Sequence, residues 1–324
     1  MREQPQPVAG VDYPRTFQEF EEWFASEALC REYLARLRWP TGFRCSQCGS
    51  QDDPWVTGRD RLRCKGCRRD MSLTGGTLFD GTRKPLQDWF HAMWFVTSQK
   101  HGASALGLQR VLGLASYQTA WAWLHKMRRA MVVPGRDRLS GTVEVDKTFI
   151  GAPEEDVHGR ETEKKAIVVV AAEIRGKAIG RIRLQRIEDA SAERLTAFIQ
   201  RSINEGSLLV TDGWSGYAGL ENLGYGHAIR NIQRSGLPAH ELLPRVHRVA
   251  SLLKRWFLGT LQGGVQHRHL DYYLDEFMFR FNRRSSQSRG LLFYRLMQQA
   301  AVCGQTTYRG LVGGRLEPNH NISV

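Results

Sequence analysis

The sequence predicts a multi-domain α+β protein: a small cysteine-bearing ribbon, a helical segment after it, and an α/β domain followed by C-terminal helices. Three observations predict it. Two CxxC pairs lie in a short, Gly-bearing stretch between residues 41 and 80. Apolar residues recur at helical spacing on both sides of that stretch. Beyond Asp137 the period changes to two, and strand-like runs then alternate with helical ones. At 324 residues the chain has room for two or three domains, and its 41% hydrophobic content permits a well-buried core.

Residues 1–40 read as an N-terminal helical segment. Phe17, Phe20, Trp23 and Phe24, then Leu29, Tyr33, Leu34 and Leu37, predict one helix or two short ones over 16–38. Pro40-Thr41-Gly42 closes the segment. Residues 41–80 read as the ribbon. Cys45-Ser-Gln-Cys48 is followed by fifteen residues and then Cys64-Lys-Gly-Cys67. That is the spacing of a four-thiolate zinc ribbon, in which each pair sets two sulfurs on one knuckle turn. Gly49 and Gly66 are expected to ease those turns. Four ligands close a tetrahedron, so such a zinc is structural; the plainer alternative is four unligated thiols. Paired cysteines of this kind point to a reducing compartment, with Cys30 and Cys303 as buried thiols. Arg59, Arg61, Arg63, Lys65, Arg68 and Arg69 crowd the ribbon, either as DNA-phosphate contacts or as a solvated basic face.

Residues 81–135 return to a helical pattern through Leu86, Trp89, Phe90, Met93, Trp94 and Val96, and later Trp121, Leu124 and Met127. Within them Ser104–Leu112, a Gly113-Leu-Ala-Ser116 turn and Tyr117–Met131 have the outline of a helix-turn-helix. Ser116 is the expected cap, and Gln118, Thr119, Trp123, Lys126, Arg128 and Arg129 the side chains offered to a DNA groove. A generic helical hairpin fits the same pattern.

Pro134-Gly135-Arg136-Asp137 marks the boundary to an α/β domain over 138–300, with a tail at 301–324. Residues 142–150 alternate, Val143, Val145 and Phe149 on one face and Glu144, Asp146 and Thr148 on the other. A charged loop is expected over 153–164. Ala166–Ile174 and Ala178–Ile187 read as strands about the Arg175-Gly176-Lys177 turn. A helix capped by Ser191 and a strand over Ser207–Thr211 come next, then a short strand near His227–Ile229. Pro244 opens a further helix with an apolar stripe of Val246, Val249, Leu252, Leu253, Trp256 and Phe257, and another helix spans about His269–Arg284. Strand, strand, strand, helix, strand, strand, helix is the order of a ribonuclease-H-like domain, and other α/β folds share it. In a ribonuclease-H-like domain that order would set Asp146 beside Asp212.

Two carboxylates at the ends of neighbouring strands, with a third ligand from a helix, can hold a pair of magnesium ions for phosphodiester chemistry. His247 is the candidate third ligand, sharing a polar helix face with Ser251 and Lys254. Taken singly, each has a blander reading: an exposed strand Asp146, a turn-forming Asp212 and a surface His247. Glu276, Arg280 and Arg283 recur at helical spacing, either as an exposed ion-pair ladder or as an Arg-lined phosphate surface near the site in which Glu276 orients Arg280.

Charge narrows the partners. The formal net charge is +13, and residues 227–324 hold 14 Lys/Arg against 5 Asp/Glu, so a polyanion such as nucleic acid is favoured over a merely basic surface. No apolar run approaches the roughly 18 residues a membrane span needs, and the N-terminus leads into no secretory signal. A cytoplasmic location is expected, with no membrane partner.

Several segments together resemble a group of prokaryotic insertion-sequence transposases, the insertion-sequence family fifteen-ninety-five type, which carry an N-terminal zinc ribbon and a DDE-type catalytic domain. They are the two CxxC pairs, Val143-Glu-Val-Asp146-Lys-Thr-Phe-Ile-Gly151, Val210-Thr-Asp212-Gly-Trp-Ser-Gly-Tyr217, His247-Arg-Val-Ala-Ser-Leu-Leu-Lys254-Arg-Trp and Asp275-Glu276-Phe-Met-Phe-Arg280-Phe-Asn-Arg283-Arg284. The resemblance runs over about residues 18–300. It implies an enzyme that binds the terminal inverted repeats of its element, cuts the DNA ends, and joins the 3′ hydroxyls to target DNA using Mg2+ or Mn2+. Asp146 and Asp212 match the two catalytic aspartates. Lys254 matches a lysine seven residues after the third catalytic position, and Glu276, Arg280 and Arg283 match a Glu/Arg signature. Many relatives have Glu where this chain has His247. Imidazole is a poorer ligand for magnesium than carboxylate and a better one for softer metals, so His247 can serve as a manganese ligand, a phosphate contact or a proton donor. The expected partner is double-stranded DNA, as terminal repeats and as target, met by a homodimer or larger oligomer in association with the nucleoid. Two alternatives remain from other classes: a DNA-binding regulator with an inactive nuclease-like domain, and a metal-dependent nuclease that cleaves without joining.

Overall fold

Two hydroxyl side chains split the N-terminal apolar pattern into two helices. In the computed structural model of the chain, Thr16 Oγ1 accepts from Glu19 N at the start of α1 (Phe17–Trp23), and Ser26 Oγ accepts from Leu29 N at the start of α2 (Glu27–Arg38). The structure describes residues 6–58, 61–132, 137–151, 165–231, 235–262 and 265–313. The expected boundary at 134–136, the charged loop over 153–164 and Arg59 lie outside the described residues.

The chain divides into two compact units, residues 1–134 together with 286–324, and residues 135–285. In the first unit, α1 and α2 lead to a three-stranded antiparallel sheet of β1 (Trp55–Thr57), β2 (Arg61–Arg63) and β3 (Asp70–Ser72). Then come α3 (Leu86–Ser98), α4 (Ala105–Leu112) and α5 (Tyr117–Ala130). The expected helix-turn-helix outline is present. Gly113 ends α4 in the left-handed conformation, and Ser116 Oγ caps α5 by accepting from Thr119 N at 3.1 Å. Two of the side chains expected in a groove are not available to one. Trp123 is buried, stacked on Trp89 with ring centroids 3.8 Å apart, and Arg128 is buried as well. Gln118 stays exposed.

The helix Arg289–Ala300, expected inside the 138–300 domain, packs within this first unit instead. Phe293 sits among Phe20, Phe24, Phe90 and Trp94 with ring centroids 5.4, 5.7, 6.0 and 5.6 Å away. An aromatic cluster of this size outweighs sequence proximity to the preceding helices. Gly290 permits the close approach, because a Cβ there would lie 1.7 Å from the Pro14 carbonyl oxygen. Past residue 300 the chain is not only a tail: Tyr308–Val312 is helical and Leu311 is buried.

The second unit is built on a five-stranded sheet: β4 (Thr142–Ile150), β5 (Ala166–Arg175), β6 (Ala178–Ile187), β7 (Leu208–Thr211) and β8 (Gly226–Ile229). Its spatial order is β6-β5-β4-β7-β8, with β4–β5 and β5–β6 antiparallel and β4–β7 and β7–β8 parallel. The ribonuclease-H-like order expected from the sequence is the one observed. Helix α6 (Ala192–Ser202) supplies the crossover from β6 to β7, and α7 (Pro244–Leu261) and α8 (Leu270–Asn282) follow the sheet. One face carries Val143, Val145, Val169, Leu195, Phe198 and Tyr217. The other carries Val168, Val170, Val246, Val249, Leu253 and Phe277. Both faces of β4 are therefore covered, including the one bearing Glu144 and Asp146. Among the described residues, no helix is long and apolar enough to cross a membrane.

Candidate metal centres

The four cysteines converge as their spacing requires. Their sulfurs all lie within 4.8 Å of one another, with Cys45–Cys67 at 3.8 Å and Cys48–Cys64 at 3.6 Å. Thiolates at tetrahedral zinc, each about 2.3 Å from the ion, stand roughly 3.8 Å apart, so the donor set fits Zn2+. In each knuckle the residue after the second cysteine is left-handed: Gly49 (φ 76°) in the first and Arg68 (φ 62°) in the second. Gly66, expected to play that part, is instead held small by crowding. A Cβ on it would lie 3.2 Å from Ser50 Cβ and 3.4 Å from Cys48 Sγ. The Cys67 backbone N–H holds the Cys64 thiol down to about 6, and those of Cys48 and Gln47 lower Cys45. Burial has the opposite effect on the two unpaired cysteines, pushing Cys30 up to about 12 and Cys303 up to about 11. These two are inert core thiols, as expected.

The second centre is assembled in the α/β unit. Thr142–Glu144 of β4 pair in parallel with Leu208–Val210 of β7, so two residues further on Asp146, in the middle of β4, comes beside Asp212, just past the end of β7. Asp146 Oδ1 accepts from Lys147 N at 2.7 Å, and Asp212 Oδ1 accepts from Trp214 N at 3.0 Å. Burial, then the charge of Asp212, raises the Asp146 carboxyl above its usual range. Burial and the same two carboxylates push the Tyr217 hydroxyl well above its ordinary value. Two anions that repel across a buried space attract a divalent cation.

Helix α7 brings His247 to this pair. His247 Nε2 is 3.6 Å from Asp146 Oδ2, too long for a hydrogen bond, and is buried with no hydrogen-bond partner among the described residues. A buried ring nitrogen without a hydrogen bond, facing a carboxylate oxygen, is a donor pair that one cation can satisfy. Asp146 and His247 line a cleft of about 400 Å³ together with Thr148, Ser251 and Lys254. The polar helix face expected at His247, Ser251 and Lys254 is thus the wall of that cleft. Asp146, Asp212 and His247 do not close as tightly as the cysteines. Among the described residues, only the four cysteines form a group of three or more whose ligand atoms are mutually within 4.8 Å.

Glu276, Arg280 and Arg283 do not line the cleft. Glu276 is fully buried, and its Oε1 takes Arg280 Nε at 2.9 Å and Nη2 at 2.8 Å. The Arg283 guanidinium lies 4.2 Å from the centre of the Phe279 ring. An exposed ion-pair ladder is excluded by that burial, whereas the expected orientation of Arg280 by Glu276 is what the geometry contains.

Glu144 is a further residue of this region, one whose role carries no signal in the sequence around it. It lies two residues before Asp146, on the same face of β4, and is 2% exposed. Its Oε2 accepts from Arg245 N at 2.7 Å and Val246 N at 3.0 Å, while Oε1 pairs with Arg245 Nη1 at 3.1 Å. One carboxylate therefore satisfies two orphan N–H groups at the start of α7 and complements the helix dipole there. The alternation that singled out Asp146 also marked Glu144, but nothing local names its partner 101 residues away. Replacing Glu144 with Ala leaves Arg245 Nη1 without its carboxylate and the helix start unpaired, while Arg245 Nη2 keeps only the Gly176 carbonyl. The expected loss is about 3 kcal/mol of stability in urea unfolding followed by circular dichroism. A change below about 0.5 kcal/mol, the range of ordinary surface substitutions, would show that Glu144 does not anchor α7.

Comparison with known proteins accords with this geometry. Residues 138–282 match the family described as ISXO2-like transposase domain, and residues 25–70 match the transposase zinc-ribbon domain. A curated relative from Halobacterium salinarum, described as an uncharacterized protein in transposable element ISH50, is 29% identical over 144 residues. The match covers 44% of this chain and 47% of that protein, so it spans about half the length of the relative. One polypeptide thus carries a match to a transposase zinc ribbon and a match to an ISXO2-like transposase domain, which is what the chain is similar to.

Proposed function

We propose that the chain is a DDE-type transposase that binds the terminal inverted repeats of an insertion sequence, cleaves DNA at the element ends and joins the 3′ ends to a target. The observation that carries this reading is the pair Asp146 and Asp212 on adjacent parallel strands, with His247 Nε2 3.6 Å from Asp146. Mg2+ or Mn2+ bound there would supply Lewis-acid stabilisation of the attacking and leaving oxygens. Asp146, Asp212 and His247 would be the residues that hold it. A nitrogen ligand favours Mn2+ over Mg2+. Lys254, exposed on the cleft wall, would hold a DNA phosphate as a point charge. On α8, Glu276 orients Arg280, and Arg280 and Arg283 would meet the DNA backbone. The ribbon, with exposed Arg61, Lys65 and Arg69, and the start of α5 would bind the repeats. The reaction takes place on chromosomal DNA in the prokaryotic cytoplasm. Two ends cut and joined in concert call for a homodimer or larger assembly.

The test is a strand-transfer assay with the full chain, labelled duplex ending in the flanking inverted repeats of its gene, and a plasmid target. Joined product is expected, more in Mn2+ than in Mg2+. Repeat binding without cleavage in either metal would make the chain a regulator with an inactive nuclease-like domain. Cleavage without joined product would make it a nuclease.

A further inference from the structure

Lys147 is a lysine in an unusual place. It follows Asp146 on β4, so the pleat sends its side chain to the opposite face, among Val143, Val145, Tyr217 and Trp214. The side chain is 5% exposed. An ammonium in such surroundings is costly unless paired. Its Nζ lies 3.6 Å from Asp212 Oδ2, 5.1 Å from the centre of the Trp214 ring and 6.0 Å from that of Tyr217. The same residue donates its backbone N–H to Asp146 Oδ1 at 2.7 Å.

The two carboxylates are therefore unequal. Asp212 is engaged on both oxygens, by Trp214 N on Oδ1 and by the lysine on Oδ2. Asp146 keeps Oδ2 facing the unpartnered His247 Nε2. A cation entering between Asp146 and His247 meets two open donors, whereas one approaching Asp212 meets a fixed positive charge.

We propose that Lys147 is a positioning residue that acts as a built-in counter-cation for Asp212, making metal loading sequential: the first divalent ion enters between Asp146 and His247, and Asp212 accepts one only when Lys147 gives way. The aromatic wall offers the displaced ammonium a place. The Tyr217 hydroxyl is buried and has no hydrogen-bond partner among the described residues, and the Trp214 and Tyr217 rings already flank Nζ. This inference rests on the proposed role of Asp146, Asp212 and His247 as metal ligands.

Mn2+ binding to the zinc-loaded full chain without DNA, followed by electron paramagnetic resonance and calorimetry, tests it. Wild type is expected to bind one ion well and a second weakly. Lys147→Met removes the competing charge and is expected to tighten the second ion at least about tenfold. Lys147→Arg, which keeps the charge, should bind as wild type does. Adding Asp212→Asn to Lys147→Met should cancel the gain. A Lys147→Met protein that melts as wild type does and shows no tightening would overturn the proposal. If that variant does not fold, Asp212→Asn alone decides. Retention of the first Mn2+ supports sequential loading, and its loss refutes it. Failure of the site reading itself looks different: Asp146→Ala would then leave Mn2+ binding unchanged.

Discussion

Replacing Asp146 with Ala is expected to lower DNA cleavage and strand transfer by at least about a thousandfold, roughly 4 kcal/mol of transition-state stabilisation. Asp212→Ala should fall equally far. Neither carboxylate can be replaced by its neighbours. Asp146 supplies a carboxylate oxygen that faces His247 Nε2, and Asp212 is the acid just past the end of the next, parallel strand. Removing Asp212 also leaves a charge behind, because Lys147 loses its counter-ion. Binding of terminal-repeat DNA, read by gel shift, should stay within about threefold of wild type, since on the proposed reading other residues would make those phosphate and groove contacts. Cleavage at more than about a tenth of the wild-type rate by either variant would remove that residue from the catalytic set.

Stripping zinc is the second large effect. The ribbon has almost no core of its own: Phe43, Cys45 and Cys64 are buried, with Trp39, Leu62, Cys67 and Met71 packed partly against them. Its strands are three residues each. A module this small is held by its metal, for which structural zinc supplies on the order of 10–16 kcal/mol at neutral pH. Chelation, or Cys64→Ser, should therefore unfold residues 41–72, seen as lost amide protection across β1–β3 and as new proteolytic cuts there. Amides of β4 and β5 should keep their protection, because that sheet contains none of the four ligands. Protection across β1–β3 that survives chelation would mean the ribbon folds without metal.

Much of the candidate site was legible because its signals are local. The spacing of Cys45, Cys48, Cys64 and Cys67 fixes two knuckles whatever surrounds them. Alternation along β4 put Asp146 on a defined face, and the order of strands around α6 put β7 beside β4. His247, Ser251 and Lys254 share a helix face by the 3.6-residue period alone, and that face is the cleft wall. The less successful expectations concern residues whose partners come from other elements. Trp123 has the spacing of a groove-facing side chain, yet it stacks on Trp89 of α3. Glu276 and Arg280 are correctly paired by their spacing, but burial, not an exposed face, surrounds them.

By itself the sequence determined the pairing of the four cysteines, the strand order and the faces on which the two aspartates lie, because each follows from the backbone period of one strand, one helix or one turn. Only the tertiary structure decided what those groups face. Glu144 reaches the start of α7 from 101 residues away, Lys147 takes an oxygen of Asp212 from the opposite face of β4, and Phe293 draws its helix into the aromatic core of the first unit. Such contacts depend on where separate elements cross, which is set by packing of the whole core and leaves no periodic trace along the chain.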